Sequence, residues 1–364
     1  MNHLLRNTIL VIFLFAGIQA YPQEATDTIP AGTVPAEATH SENFDTKAII
    51  FEHVQDAYEW HIITIGEHPV SIPLPVIVKS AERGWFIFSS AKLSHGQTYE
   101  GFYLSPETRK VVEQQADGSA IRPFDLSLTK NVCSIFLSSI LILILFLTMA
   151  HSYRNNSMQG RKGFFGSIEL LFLFIYDDVI KPIVGKDYRK FAPYLLTVFF
   201  FIFINNLLGL IPIFPGGANV TGNIAITLVL AIITFLITNI YGTKEYWKEI
   251  FWPDVPAWLK VPVPLMPLIE IIGILTKPFA LMVRLFANML AGHMIVLVLI
   301  SLIFIFTIML GAIAGGVVAI VSVLFSVFML LIDVLVCFIQ AYVFTMLSAI
   351  FISMARIEPH HAKH

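Results

Sequence analysis

Between residues 265 and 355 the sequence carries four side chains of standing charge, Glu270, Lys277, Arg284 and Asp333, and one histidine, His293, in an otherwise apolar stretch. Arg284 lies within "TKPFALMVRLFANMLAGHMIVLVLI", residues 276–300. A guanidinium keeps its proton at any ordinary pH, so it cannot relay one; it can only attract an anion or repel a cation. Carboxylate and imidazole groups, by contrast, can pass protons on. Charge inside a membrane costs at least about 2.5 kcal/mol even on insertion scales, and such residues mark ion paths or counter-ions. At about 100° per residue, Glu270, Lys277, Arg284, Asn288 and Gly292 fall on one stripe of a helix, while His293 lies about 180° from Arg284. One face can present Arg284 to a carboxylate on a partner, and the other can turn His293 toward the body of the chain. Asp333 and Gln340 likewise share a helix face. Asn288 and Gln340 suit a hydrated, protein-lined cavity better than lipid.

The elements that hold these residues are long. A helix over 268–310 would reach about 65 Å and one over 317–353 about 55 Å, against a hydrocarbon thickness of roughly 30 Å. With "GAIAGG" at 311–316 joining them, the pair reads as a hairpin tilted far beyond the usual ~20°. Earlier spans are expected at 132–150, 191–212 and 223–241, with a Pro/Gly turn "IFPGGANVTG" before the last of these. The segment 164–184 mixes apolar positions with Glu169, Asp177, Asp178 and Lys181, and reads as an interfacial helix. Lys and Arg gather at 154–190, at Lys244, Lys248 and Lys260, and at Arg356 and Lys363, while the turns at 213–222 and 311–316 have none. The basic regions are therefore expected to be cytoplasmic.

Composition agrees. Of 364 residues, 56% are hydrophobic and 13% charged, with a mean hydropathy of +0.76, which marks a membrane protein. A net charge of -2 points to no nucleic-acid partner. Cys133 and Cys337 both sit in apolar runs and read as small core residues.

Residues 1–20 carry Arg6, a short apolar stretch and a small-residue end, as a cleavable secretory signal does. Residues 21–46 read as a flexible linker. From 48 to 124, runs such as "WHIITIG" and "RGWFIFSSAKL" between Gly and Pro read as a few short strands. The spacing of His53, His61 and His68 matches no standard metal pattern, so they read as structural or surface histidines. The fold expected is an all-α integral membrane protein of about five membrane-embedded helices plus an interfacial helix, ending in the tilted hairpin, with a small exported N-terminal region containing some β structure. Its parts would be a signal peptide (1–20), a periplasmic extension (21–130), the membrane domain (131–356) and a cytoplasmic tail (357–364).

"LTKPFALMVRLFANMLAGH", with Glu270 upstream, followed by "IQAYVFTMLSAIFISMA" at the end, resembles subunit a of the F-type ATP synthase. "SIELLFLFI", "NNLLGLIP" and "NVTGNIAITLVLA" are similar to other segments of that family, so the resemblance covers about 130–356. It implies a non-catalytic stator subunit, without cofactor or metal, in a bacterial inner membrane. Its partners would be the c-subunit ring, the b subunit of the peripheral stalk, the remaining synthase subunits and the lipid bilayer. Arg284 would meet the ring carboxylate, with Gln340 beside it. Glu270 would line the cytoplasmic half-channel, and His293 and Asp333 the outer one, with Asn206 and Asn288 as polar neighbours. Two departures stand out. Many bacterial relatives have an acidic residue at the position of His293 and a histidine at that of Asp333, and some have an acidic residue at that of Gly209.

Three other readings are weaker. An ion-coupled secondary transporter or channel would be expected to show internal repeats or paired broken helices. An aspartyl protease needs a second carboxylate facing Asp333. A functional exported region with the spans as a mere anchor leaves the charges in the hairpin unexplained.

Overall fold

The structure, a computed structural model, describes residues 56–65, 68–80, 82–106, 108–115, 119–155, 163–211, 216–251 and 265–356. The expected signal peptide, the linker, His53 and the tail lie outside these residues, as do the side chains of His61 and His68.

Short strands come first. β1 (Glu59–Ile65) pairs with β2 (His68–Pro73); β3 (Pro75–Ser80) lies between β4 (Gly84–Ser89) and β8 (Phe124–Asp125); and β6 (Val111–Gln114) lies between β5 (Phe102–Leu104) and β7 (Ala120–Ile121). The period of two is visible in β3, where Val76 and Val78 are fully buried while Pro75 and Lys79 are exposed. They meet Tyr58, Phe88, Leu93, Phe102 and Val111 in a small core of their own. The Arg83 guanidinium covers the rings of Phe86 and Phe102 and stands 2.6 Å from the Glu113 carboxylate. The run "RGWFIFSSAKL" does not stay extended, because Ser89 Oγ accepts the Ala91 N–H and turns Ser90–Gly96 into a 3-10 helix.

The chain then enters α1 (Lys130–Asn155). Next, α2 (Phe164–Leu173) passes through a π turn, Phe174–Ile180, and one helical turn, Lys181–Val184, before α3 (Tyr188–Gly209). The segment expected to lie at the interface therefore runs into the following span with only Gly185–Asp187 between them. Its charges occupy one side: Asp177, Asp178 and Lys181 are exposed, while Ile175, Val179, Ile180 and Val184 are buried, and Phe174 stacks on Tyr342 near the end of the chain.

α3 is the central helix. Leu195, Phe199 and Ile202 are fully buried on it, Phe200 meets Phe146 of α1 at 4.8 Å, and Phe199 and Phe203 both contact Phe338. Asn223 caps α4 (Ile224–Ile240) by accepting the Ala225 N–H at 3.0 Å. The chain then bends by 101° into α5 (Lys244–Phe251). Two long helices finish the chain, α6 (Leu265–Leu310, 46 residues) and α7 (Ala312–Met354, 43 residues).

The hairpin turn is tighter than "GAIAGG" implied. Gly311 alone separates the two helices, at a φ of 86° that favours glycine. A Cβ on Gly315 would stand 2.1 Å from Thr307 Oγ1, so the missing side chain lets α7 close on α6. Among the described residues four helical stretches are long and apolar enough to cross a membrane, or five when the bent α4–α5 pair counts as one.

Candidate functional site

Arg284 projects from α6 with an exposed side chain, and no ion pair or hydrogen bond engages it among the described residues. Val283, Ala287, Asn288 and Ala291 are exposed on the same side, so the guanidinium stands in a mostly apolar, outward surface. The helix presents it there because Leu281, Met282, Leu285 and Met289 are buried on the side turned toward the rest of the chain. The polar stripe read from the sequence is not one face throughout. Between Arg284 and Gly292 the helix turns about 80° past two full turns, and Gly292 faces α7, where a Cβ would lie 2.9 Å from Asp333 Oδ1.

The inward polar residues form two adjoining groups. On α7, Asp333 and Gln340 are both buried, at 8% and 7% exposure, and the Asp333 Oδ2 atom has no hydrogen-bond partner among the described residues. On α6, His293 turns its Nε2 into the interior, also without a hydrogen-bond partner among those residues. That nitrogen lies 3.5 Å from the position a Cβ on Gly209 would take, and the Ala218 carbonyl oxygen lies 3.3 Å from the same position. Asn206, one turn before Gly209, accepts the Thr221 hydroxyl at 2.5 Å and leaves its Nδ2 buried without a partner among the described residues. Unpartnered buried polar atoms on three elements are what a water-holding path requires, since each would otherwise carry a desolvation cost of about 1–3 kcal/mol. Among the described residues no hydrogen bond or ion pair joins His293 to Asp333.

A third group lies between α4, α5, α6 and α7. Thr238, Asn239, Tyr246, Ile274, Lys277 and Phe351 line a cleft there. Lys277 Nζ sits 5.7 Å from the centre of the Phe351 ring, the Tyr246 hydroxyl donates to Asn239 Oδ1 at 3.4 Å, and Glu270 acts electrostatically on Tyr246. Lys277 therefore has a packing role as well as a charge, and Glu270 lies two turns before it on the same side of α6.

The structure thus sorts the residues singled out in the sequence into an outward cation (Arg284, with Asn288), an inward set (His293, Asp333, Gln340, Asn206) and a cleft residue (Lys277), with Glu270 two turns before it on α6. Thr221 and Tyr246 escaped sequence reading. Their only signal was a polar residue beside a turn, shared by many residues with no such role.

Comparison with known proteins gives the following. A family model described as ATP synthase A chain matches residues 132–353, and one described as a domain of unknown function matches residues 49–127. The chain is 43% identical over 247 residues to a protein of Chlorobium phaeobacteroides named ATP synthase subunit a, covering 66% of this chain and 68% of that one. It is 46% identical over 238 residues to an ATP synthase subunit a 2 of Chlorobaculum tepidum, covering 64% of each chain. With an ATP synthase subunit a of Myxococcus xanthus the identity is 40% over 243 residues, covering 65% of this chain and 75% of that one.

Proposed function

The chain belongs to the ATP synthase A chain family, and on that premise we propose that it is the stator subunit that stands against a rotating ring of c subunits and gives ions two offset half-channels. It is a multi-pass membrane protein, and in this reading it makes and breaks no covalent bond. The single observation that carries the proposal is the outward Arg284 guanidinium, exposed in the isolated chain and unpaired among the described residues, on the membrane-length helix α6. In lipid alone such a charge is costly. Beside a ring carboxylate it is satisfied.

The chemistry follows from permanent charge. A fixed cation between the half-channels favours the ionised form of an approaching carboxylic acid, so the proton leaves. It also repels a cation moving straight from one half-channel to the other. The ring must turn for its carboxylate to be protonated again. Each charge moved through 100 mV supplies about 2.3 kcal/mol, which the rest of the synthase complex turns into ATP synthesis.

In this reading Gln340 lies behind Arg284 on the inward side of the hairpin, Glu270 lines the cytoplasmic half-channel, and His293, Asp333 and Asn206 line the outer one, with Asn288 at the ring-facing surface. The lengths of α6 and α7 support the steep tilt. The distribution of Lys and Arg supports a periplasmic N-terminal region and a cytoplasmic C-terminus in a bacterial inner membrane. No observation favours a transporter with its own substrate site.

The test is Arg284→Ala in membrane vesicles containing the whole synthase. Assembly is expected to persist and proton-driven ATP synthesis to disappear. Coupled synthesis near the parent rate would refute the reading.

A further inference from the structure

The β domain meets the membrane helices through three residues that the reading above does not use. Trp60, on β1, is 4% exposed and packs in the core of the membrane helices rather than in that of the β domain. Its indole N–H donates to the Gly216 carbonyl at 3.1 Å. Gly216 lies within the α3–α4 loop, which also supplies the Ala218 carbonyl beside Gly209 and His293 and the Thr221 hydroxyl on Asn206. One tryptophan of the β domain thus anchors the loop that packs against the outer ion-path residues.

Asp56 and Lys130 form the second contact. Lys130 is the first residue of α1 and is only 9% exposed. A buried ammonium is costly, and the positive end of a helix dipole makes it worse. Asp56 offsets both effects: its Oδ1 accepts the Asn131 N–H at 3.1 Å, as a helix cap does, and its charge acts on Lys130. The neighbouring Ala57 carbonyl accepts the Lys130 N–H at 2.9 Å. A lysine so expensive to hold would be a poor structural choice. The junction is also tied through Trp60 to the loop that packs beside His293, and the Lys130 charge acts on that imidazole.

We propose that the β domain is the outer wall of the ion entrance, and that Asp56 and Lys130 are positioning residues that set the charge an ion meets on its way to His293. The proposal rests on the assignment of His293 to the outer half-channel. With Asp56 ionised, the entrance carries a balanced pair. Without its negative charge, the entrance becomes more positive where protons must enter. Trp60 keeps the wall in register with the loop.

The experiment uses the whole complex in vesicles stripped of the soluble ATP-forming sector, with passive proton flux measured per assembled copy of this subunit. Asp56→Asn keeps an oxygen for the Asn131 N–H and removes only charge. Its flux is expected to fall roughly tenfold, equivalent to about 1.4 kcal/mol of added repulsion. The double variant Asp56→Asn with Lys130→Gln is expected to recover most of the loss. Parent-like flux in Asp56→Asn, fewer copies with unchanged flux per copy, or a double variant as impaired as the single one would each overturn the proposal. If Asp56→Asn fails to assemble, Trp60→Phe, which keeps the ring and loses the donor, decides it: reduced flux per copy supports the wall and unchanged flux rejects it. Arg284→Ala, measured in parallel for coupled synthesis, shows whether the stator reading itself has failed.

Discussion

Gly209 of α3 and His293 of α6 share one small space: a Cβ on the glycine would stand 3.5 Å from the imidazole Nε2 and 3.3 Å from the Ala218 carbonyl oxygen. Gly209→Ala is expected to cost about 1 kcal/mol through crowding of the loop carbonyl, with a modest loss of proton flux. Gly209→Glu should displace the imidazole and lower flux far more. Flux per assembled copy in both variants checks this; equal flux in the two would contradict it.

Gly292 and Asp333 predict a second steric effect. With Asp333 Oδ1 2.9 Å from the Cβ position, Gly292→Ala must push the carboxylate aside or spread α6 from α7, at a cost of about 1–3 kcal/mol. ATP-driven proton pumping should fall while the complex still assembles. Adding Asp333→Ala should restore thermal stability in detergent and leave pumping low, because the clash is relieved and the carboxylate is gone. Recovery of pumping in the double variant would remove Asp333 from the ion path.

The β domain has a pH limit of its own. Burial, followed by the charge of Asp125 and the hydrogen bond to it, raises the pKa of Tyr58 above the ordinary tyrosine value of 10.0. Because the folded state holds this proton more tightly, the stabilisation is complete below about pH 10 and is lost as pH rises above it. Protease resistance of the β domain should therefore fall above about pH 10 in the parent. Tyr58→Phe should be weaker by about 1–3 kcal/mol at neutral pH, because Asp125 keeps the Ser127 N–H but loses the tyrosine donor, and its curve should lack this alkaline step. An identical alkaline step in the variant would exclude Tyr58 as its source.

Orientation gives a fourth test. Protease added to spheroplasts is expected to remove the region before α1 and spare the C-terminus. Protection of the β domain would place it on the wrong side for any contact with an outer half-channel.

The hairpin was legible because length and hydropathy do not depend on neighbours: 268–310 is too long for an upright span whatever it packs against. Arg284 was legible for the same reason, as a guanidinium in an apolar run. The inward turn of His293 followed from helical periodicity. The two positions that misled did so through geometry. Gly292 was assigned to the face of Arg284 although eight residues carry it about 80° away, and the turn at 311–316 looked six residues long when one left-handed glycine sufficed. The interfacial segment continued into α3 because its apolar side found α7, whose closing residues lie more than 150 positions later in the chain. The bond between Trp60 and Gly216 spans 156 residues and joins a strand to a loop. No local pattern announces such a pair.

Gly311 has a mechanical consequence. With a single residue between α6 and α7, the two helices are pinned at one end like the arms of a clip, and neither can slip lengthwise past the other without breaking backbone geometry. Any sideways load on Arg284 is then carried jointly with the arm bearing Asp333 and Gln340. The spacing between the outward cation and the buried carboxylate is set by the covalent chain as much as by packing.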